Sequence, residues 1–172
     1  MSTHERFMRM ALAEARRGLG RTSPNPAVGA VLVKSGHIMA RGWHHQAGLP
    51  HAEIEALQLA GKDAAGATLY VNLEPCCHAG KTGPCTDAVI GSGVSEVIVG
   101  MLDPNPRVHG KGIAALRHAG IRTVVGVLEN ECQRLNEPFT HFMTAGRPFV
   151  SLKTAASLDG KIATASGQSQ WI

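Results

Sequence analysis

The sequence predicts an α/β fold in which helices cover both faces of a mostly parallel sheet. Apolar runs typical of strands alternate with helix-like segments between residues 51 and 146. Such alternation is typical of parallel strands, because their crossover connections place helices on both faces of the sheet. The 172 residues suffice for one compact domain with a core and at most a fragment of another.

A surface helix opens the chain. We expect it to be capped by Thr3 and closed by Gly18, with a buried stripe formed by Phe7, Met10, Ala11 and Ala15. Charged residues interrupt this segment, so it does not have the apolar core of a signal peptide. We therefore expect a cytoplasmic protein.

A predicted β-hairpin follows, in which Ser35-Gly36 joins the runs 27–34 and 37–43. The later elements alternate in type. They are a helix at 51–60, a strand at 68–74, a short helix at 84–93, a strand at 95–102, a helix at 110–120, a strand at 122–128 and a closing helical stretch at 129–146.

The chain is predicted to divide at Gly146-Arg147. Residues 1–146 form the expected domain, and residues 147–172 resemble the first element of a second domain, with one strand at 149–155. No apolar run approaches the roughly 18 residues of a membrane span. The net charge of +4 permits an anionic small substrate, while 4% aromatic residues provide little material for stacking nucleic-acid bases. We expect neither a membrane nor a nucleic-acid partner.

One histidine and two cysteines form a candidate zinc site. Three of the four cysteines lie in residues 74–85, and reduced cysteines in a chain without an export signal point to metal binding or catalysis. His51, Cys76 and Cys85 would supply one nitrogen and two sulfurs and would leave a fourth position for water, as catalytic zinc sites do. Cys76 is preferred to its neighbour Cys77 because it directly follows a proline.

Glu53 is the candidate proton shuttle. It cannot share a side face of a helix with His51, since residues two positions apart in the sequence are separated by roughly 200° around the helix axis. Both can face one ion if the helix approaches it end-on, and Glu53 would then lie near the water without binding the metal. Each residue alone has an ordinary structural explanation, but H-x-E followed by two P-C pairs is typical of zinc deaminases. The eight residues between Cys76 and Cys85 exceed the usual two.

Five stretches together resemble one family. They are TSPNPAVGAVLV, HAEIEAL, LEPCCHAGKTGPC, MLDPNP and LKTAASLDGKIATASGQSQW. They resemble the bifunctional riboflavin-biosynthesis deaminase/reductases, whose deaminase domain belongs to the cytidine-deaminase-like superfamily. The wide cysteine spacing distinguishes this family from tRNA and cytidine deaminases, although the family more often has serine where Cys77 stands.

The resemblance implies a three-layer α/β/α fold with a mixed, mostly parallel sheet. It implies hydrolytic deamination of a diamino-ribosylamino-pyrimidinone 5′-phosphate, with zinc on His51, Cys76 and Cys85 and with Glu53 as the proton donor. The positions that would contact the substrate are Asn25, His44, His78, Lys81, Asp103 and Asn105.

Two further positions resemble the family's NADPH-dependent reductase domain. Ser169 would contact its substrate and Trp171 its cofactor, but these positions alone cannot form a pocket, so we expect no reductase activity from these 172 residues. A homo-oligomer is expected. Two alternatives stay open from the sequence, namely a deaminase of tRNA bases and a structural zinc module without chemistry.

Overall fold

The computed structural model describes residues 2–78 and 83–170, and it contains a five-stranded sheet with helices on both faces. The strands are β1 (Gly29–Lys34), β2 (His37–Trp43), β3 (Thr68–Leu73), β4 (Glu96–Met101) and β5 (Arg122–Val125). The helices are α1 (Thr3–Arg16), α2 (Ala52–Ala60), α3 (Cys85–Gly91), α4 (Lys111–His118), α5 (Glu129–Leu135) and α6 (Glu137–Ala145), and a 3₁₀ turn spans Gly61–Ala64.

The strand order in the sheet is β2-β1-β3-β4-β5. β1 pairs antiparallel with β2 and with β3, whereas β3–β4 and β4–β5 pair in parallel. Four strands therefore run in one direction and β1 runs in the other, which confirms the mixed, mostly parallel sheet. All six residues of β4 are buried, as expected for a central strand covered on both faces.

Two glycines allow helices to pack closely on opposite faces of the sheet. A Cβ on Gly29 would lie 2.2 Å from the Ala11 carbonyl oxygen in α1, and a Cβ on Gly42 would lie 2.4 Å from the Ala52 carbonyl oxygen in α2. Gly42 pairs with Ala30, the neighbour of Gly29, so the two glycines face opposite ways. Helix α5 contacts α1, while α3 contacts both α2 and α4, and this completes the three layers.

Helix α1 begins one residue earlier than predicted. Ser2, rather than Thr3, is the N-cap, because its hydroxyl accepts from the Glu5 N–H at 3.2 Å while the Glu5 carboxylate accepts from the Ser2 N–H at 2.8 Å. The helix ends at Arg16, before Gly18. Its fully buried apolar side chains are Phe7, Met8, Ala11, Leu12 and Ala15, and Met10 is half-buried.

The hairpin prediction is confirmed, with left-handed backbone at both turn residues, Ser35 (φ 52°) and Gly36 (φ 77°). The closing helical stretch consists of two helices that meet at Asn136. The predicted strand at 149–155 is wrong. This segment is exposed and pairs with no strand in the described part of the chain, so its apolar pattern lacks the partner that a strand requires. Among the described residues, no helix has the length and apolar character needed to cross a membrane.

Candidate metal centre

The first turn of α2 carries His51 and Glu53. His51 is the N-cap residue, with extended backbone (φ −75°, ψ 162°), and Glu53 is the second residue of the helix, in its first turn. Gly42 brings this helix against β2, and the helix presents its N-terminal end to the loop that follows β3. Two residues that lie on different sides of a helix can thus reach one place.

The start of α3 holds the cysteine loop. Cys76 lies three residues beyond β3, and Cys85 is the first residue of α3. The Cys85 backbone N–H donates to the Cys76 sulfur at 3.4 Å, and the Thr86 N–H donates to the Cys76 carbonyl at 3.1 Å. These free N–H groups of the helix start fix Cys76 beside Cys85.

The three side chains form a compact group. The His51 Nδ1 atom lies 3.1 Å from the Cys85 sulfur and 3.7 Å from the Cys76 sulfur, and all three candidate ligand atoms lie within 4.8 Å of one another. Ligands in a tetrahedral zinc site are separated by about 3.5–3.8 Å, given bonds of about 2.0–2.3 Å. All four cysteines are free, so no disulfide competes for the sulfurs.

The electrostatics favour one thiolate in this group. Hydrogen bonds from Cys85 lower the pKa of Cys76 to about 4, and His51 adds to the effect. The pKa of the buried Cys85 thiol is raised, because it lies against that thiolate. The pKa of His51 is raised as well, first by its hydrogen bond with Cys76. A divalent ion bound by both sulfurs would therefore release the Cys85 proton.

Glu53 is buried next to the group, with 3% of its surface exposed. Its charged and hydrogen-bonding neighbours are His51, Cys76 and Cys85, and its Oε2 atom has no hydrogen-bond partner among the described residues. Burial raises the pKa of Glu53 to about 7, while the charge of His51 opposes that rise. A carboxyl group with such a pKa can both accept and donate a proton near neutral pH.

Cys77 lies outside the group. Its sulfur lies 4.0 Å from the Arg107 carbonyl oxygen, and it is absent from the cluster of candidate ligands. Of the two adjacent cysteines, the structure thus brings Cys76 to the histidine.

His44 and Asn25 form a wall beside His51. The His44 ring lies edge-on to the His51 ring, with the ring centroids 5.0 Å apart. The Pro50 carbonyl accepts a hydrogen bond from His44 Nδ1 at 3.0 Å, which leaves Nε2 to accept one from the Asn25 side-chain amide at 3.0 Å. Burial lowers the pKa of His44, so this ring is neutral and its tautomer is set by its two partners.

Asp103 and Asn105 lie in the loop between β4 and α4. The Asp103 carboxylate accepts from the Asn105 N–H at 2.8 Å, and His109 Nδ1 donates to the Asp103 carbonyl at 2.9 Å. Burial raises the pKa of Asp103 to about 6, whereas the Asn105 bond and the charge of His78 act against that rise. His78 and Asp103 therefore lie near each other, and the Nδ1 atom of His78 is buried without a partner in the described ranges.

Lys81 and Trp171 lie outside the described residues. Ser169 lies in an exposed segment beyond α6, and no hydrogen bond in the described part of the chain joins it to the group.

Three buried polar side chains near the site were missed by the sequence analysis: Glu74, Asn72 and Asn136. Asn72 interrupts the apolar run of β3, and Glu74 lies between that run and Pro75. A polar residue at either position of the predicted strand 68–74 was a signal of a buried polar role. Asn136 gave no comparable signal, because its partner Ala27 lies 109 residues away.

The chain resembles known proteins along its whole length. Residues 1–101 match the family described as the cytidine and deoxycytidylate deaminase zinc-binding region. Riboflavin biosynthesis protein RibD of Aquifex aeolicus is 55% identical over 166 residues, covering 96% of this chain and 47% of the relative. The protein of the same name from Escherichia coli is 51% identical over 168 residues, covering 98% and 46%. The chain spans about half the length of the curated relatives it matches.

Solved structures share the fold. The diaminohydroxyphosphoribosylaminopyrimidine deaminase/5-amino-6-(5-phosphoribosylamino)uracil reductase of Thermotoga maritima superposes with a TM-score of 0.94 at 51% identity, covering 99% of this chain and 49% of that one. Rib2 deaminase of Aspergillus oryzae, solved with DARIPP, has a TM-score of 0.68 at 24% identity, covering 84% and 95%. These similarities confirm the cytidine-deaminase-like α/β/α fold.

Proposed function

Because the chain belongs to the cytidine and deoxycytidylate deaminase zinc-binding family, we propose that it deaminates a diamino-ribosylamino-pyrimidinone 5′-phosphate in riboflavin biosynthesis. The resemblance to the riboflavin deaminase/reductases is confirmed by relatives that are more than half identical to this chain. Their names, and that of the Thermotoga protein, supply the substrate class. NADPH-dependent reduction is proposed only for a longer protein that includes the reductase domain.

The observation that carries this proposal is the group of His51, Cys76 and Cys85 beside a buried carboxylate. One imidazole and two thiolates form a donor set typical of zinc, and two thiolates balance the charge of a divalent ion. When bound, zinc supplies Lewis acidity that brings the pKa of a coordinated water down to about 7. A structural module would need a fourth protein ligand, and the cluster contains three among the described residues.

Glu53 would move the proton in this reaction. Its raised pKa lets the carboxylate take a proton from water at neutral pH, and the resulting carboxylic acid can then donate that proton to the departing amine. Burial keeps bulk water from competing for the proton. The free Oε2 atom is the one available to the reacting groups.

The remaining predicted positions would bind the substrate. Asn25 and neutral His44 offer amide and imidazole groups on one side of His51, and His78, Asp103 and Asn105 lie toward the β4–α4 loop. Such groups can form hydrogen bonds with the polar edge of a pyrimidine ring. Lys81 is proposed to meet the phosphate as a point charge.

Ammonia release tests the proposal directly. The zinc-loaded chain is expected to release ammonia from the pyrimidine phosphate and to leave cytidine and tRNA unchanged. Turnover of tRNA would favour the nucleic-acid alternative. The homo-oligomer and the cytoplasmic location stay predictions, as does the absence of reductase activity, which measurable NADPH oxidation would contradict.

Glu53→Gln separates the proton shuttle from metal binding. The amide cannot accept the proton, so the rate should fall by at least ~10²-fold, the usual scale for a general acid/base, while zinc content stays at the wild-type level. Glu96→Gln is the matched control. Glu96 is also buried, but it lies at the start of β4, whereas the end of β4 leads to the Asp103 loop beside the site. Glu96 forms an ion pair with Arg122. A near-normal rate for Glu53→Gln would refute the assigned role.

A further inference from the structure

Glu74 is a buried carboxylate that the proposed chemistry does not use. It follows β3 directly, two residues before Cys76, and 3% of its surface is exposed. Its Oε2 atom accepts from the Asp103 N–H at 3.1 Å and from the Gly110 N–H at 2.9 Å, and its Oε1 atom accepts from the Ile113 N–H at 3.1 Å. One side chain thus binds three backbone groups from the β4–α4 loop and the start of α4.

Helix α4 depends on this carboxylate for its cap. Its N-cap residue is Gly110, in the left-handed conformation, which has no side chain to accept the first N–H groups. Glu74, the residue that follows β3, takes that place. The helix also lies directly on the cysteine loop, because a Cβ on Gly112 would be 2.2 Å from the Pro75 carbonyl oxygen.

We propose that Glu74 is a positioning residue that sets the Asp103–Asn105 loop relative to the candidate metal centre. The loop is bonded to Glu74 at Asp103, itself a predicted substrate contact, and at Gly110, which lies beyond Asn105. Cys76 has separate support, since the start of α3 holds both its sulfur and its carbonyl. Loss of the Glu74 carboxylate should therefore disturb substrate binding more than metal binding. The substrate part of this inference rests on the proposed function.

Glu74→Gln tests the inference, because an amide of the same shape keeps one acceptor and turns a donor toward an N–H group. Three measurements on the zinc-loaded full chain are compared with wild type. Amide hydrogen exchange in residues 103–113 should rise about tenfold or more, the scale of one lost hydrogen bond to a charged group. KM for the pyrimidine phosphate should rise by a similar factor, whereas zinc content and kcat should change far less.

Glu96→Gln controls for the loss of any buried carboxylate in this sheet and should leave KM and the exchange of 103–113 unchanged. If Glu74→Gln does not fold, Glu74→Asp serves in its place, since it keeps both oxygens on a side chain one carbon shorter. An unchanged KM, unchanged exchange of 103–113, or loss of zinc would overturn the inference. A wild-type chain that binds zinc but releases no ammonia would refute the proposed function instead, and exchange alone would then decide whether Glu74 holds the loop.

Discussion

Buried asparagines fix the backbone that leads from Asn25 into β1. The Ala27 N–H donates to the Asn136 side-chain oxygen at 2.8 Å, and the Ala27 carbonyl accepts from both Asn136 and Asn72 at 3.0 Å. The Gly29 N–H donates to Asn72 at 2.8 Å. A strand would normally satisfy these backbone groups with another strand, and here side chains from β3 and from the α5–α6 junction take that role.

The sequence predicted which residues the structure brings together at the candidate centre, but not which residues support them. His51, Glu53, Cys76 and Cys85 belong to local patterns in which residue type and spacing carry the chemistry. The partners of Glu74 lie 29 to 39 residues away. They are backbone N–H groups, which all residues except proline have, so the sequence does not reveal them. The cap at Ser2 was missed for a smaller reason, since Ser2 and Thr3 are both good N-cap residues.

Asp103 is predicted to reduce the stability of the fold at neutral pH. Its folded pKa of about 6 exceeds the ordinary value of 3.8, so folding favours the protonated form. The cost of the charge is absent below pH ~3, where both states are protonated, and complete above pH ~7. Asp103→Asn should therefore stabilise the protein by about 1–2 kcal/mol at pH 7.5, after allowance for partial solvation, and by only about a fifth of that amount at pH 4.

Urea unfolding measures this difference at the two pH values, with variant and wild type both metal-free so that release of zinc at low pH does not contribute. Asp63→Asn is the control, because Asp63 is exposed and its replacement removes a carboxylate without removing a buried charge. Equal effects of Asp103→Asn at pH 4 and pH 7.5 would show that no buried charge is involved. A simultaneous loss of ammonia release would fit a carboxylate kept for substrate binding despite its cost.

At the scale of elements, close approach of helix to strand decides where the site forms. Helix α2 can present His51 and Glu53 because Gly42 lets its backbone touch β2. The sequence predicted α2 and β2 well, since each has its own pattern. It could not predict their contact, because a glycine in a strand indicates close packing without naming the partner.

Gly42→Ala should shift α2 and weaken the centre. The added Cβ would lie 2.4 Å from the Ala52 carbonyl oxygen and 2.7 Å from the Ala56 nitrogen, both backbone atoms that cannot yield without moving the helix. We expect a loss of about 1–3 kcal/mol in the free energy of unfolding, together with weaker zinc binding. Gly91→Ala is the matched control, since nothing lies within 4 Å of its added Cβ. Wild-type zinc affinity in Gly42→Ala would contradict this account.

Two departures from the predicted elements, at residues 149–155 and at Asn136, share one physical cause. Residues 149–155 have a strand-like apolar pattern but no neighbouring strand in the described structure, so their backbone groups face solvent. The closing stretch divides at Asn136, whose side chain is committed to Ala27. In both cases tertiary partners, rather than local propensity, decide the conformation.

At the scale of the whole molecule, helix α5 packs against β4 and α1, and helix α6 packs against α5. Cys132 in α5 is fully buried, and a Cβ on Gly100 in β4 would lie 2.3 Å from its sulfur. Asn136 binds the chain just before β1. Beyond α6 the side chains are largely exposed, including Val150 at 84% and Leu152 at 87%. The boundary at 146 stays a prediction, which a truncated chain can test.

A chain ending at residue 146 should therefore fold and keep the proposed activity. Among the contacts it loses is the one between the rings of His141 and Phe149, whose centroids are 5.8 Å apart, worth about 0.5–1.5 kcal/mol. We expect Tm to fall by no more than about 2–6 °C, with zinc content and ammonia release unchanged. A chain ending at residue 128 should fail to fold, because it lacks Cys132 and leaves the buried Ala27 groups without Asn136. Loss of folding in the 1–146 chain would place residues 147–172 inside the domain, and a folded 1–128 chain would show that the α5–α6 pair is dispensable.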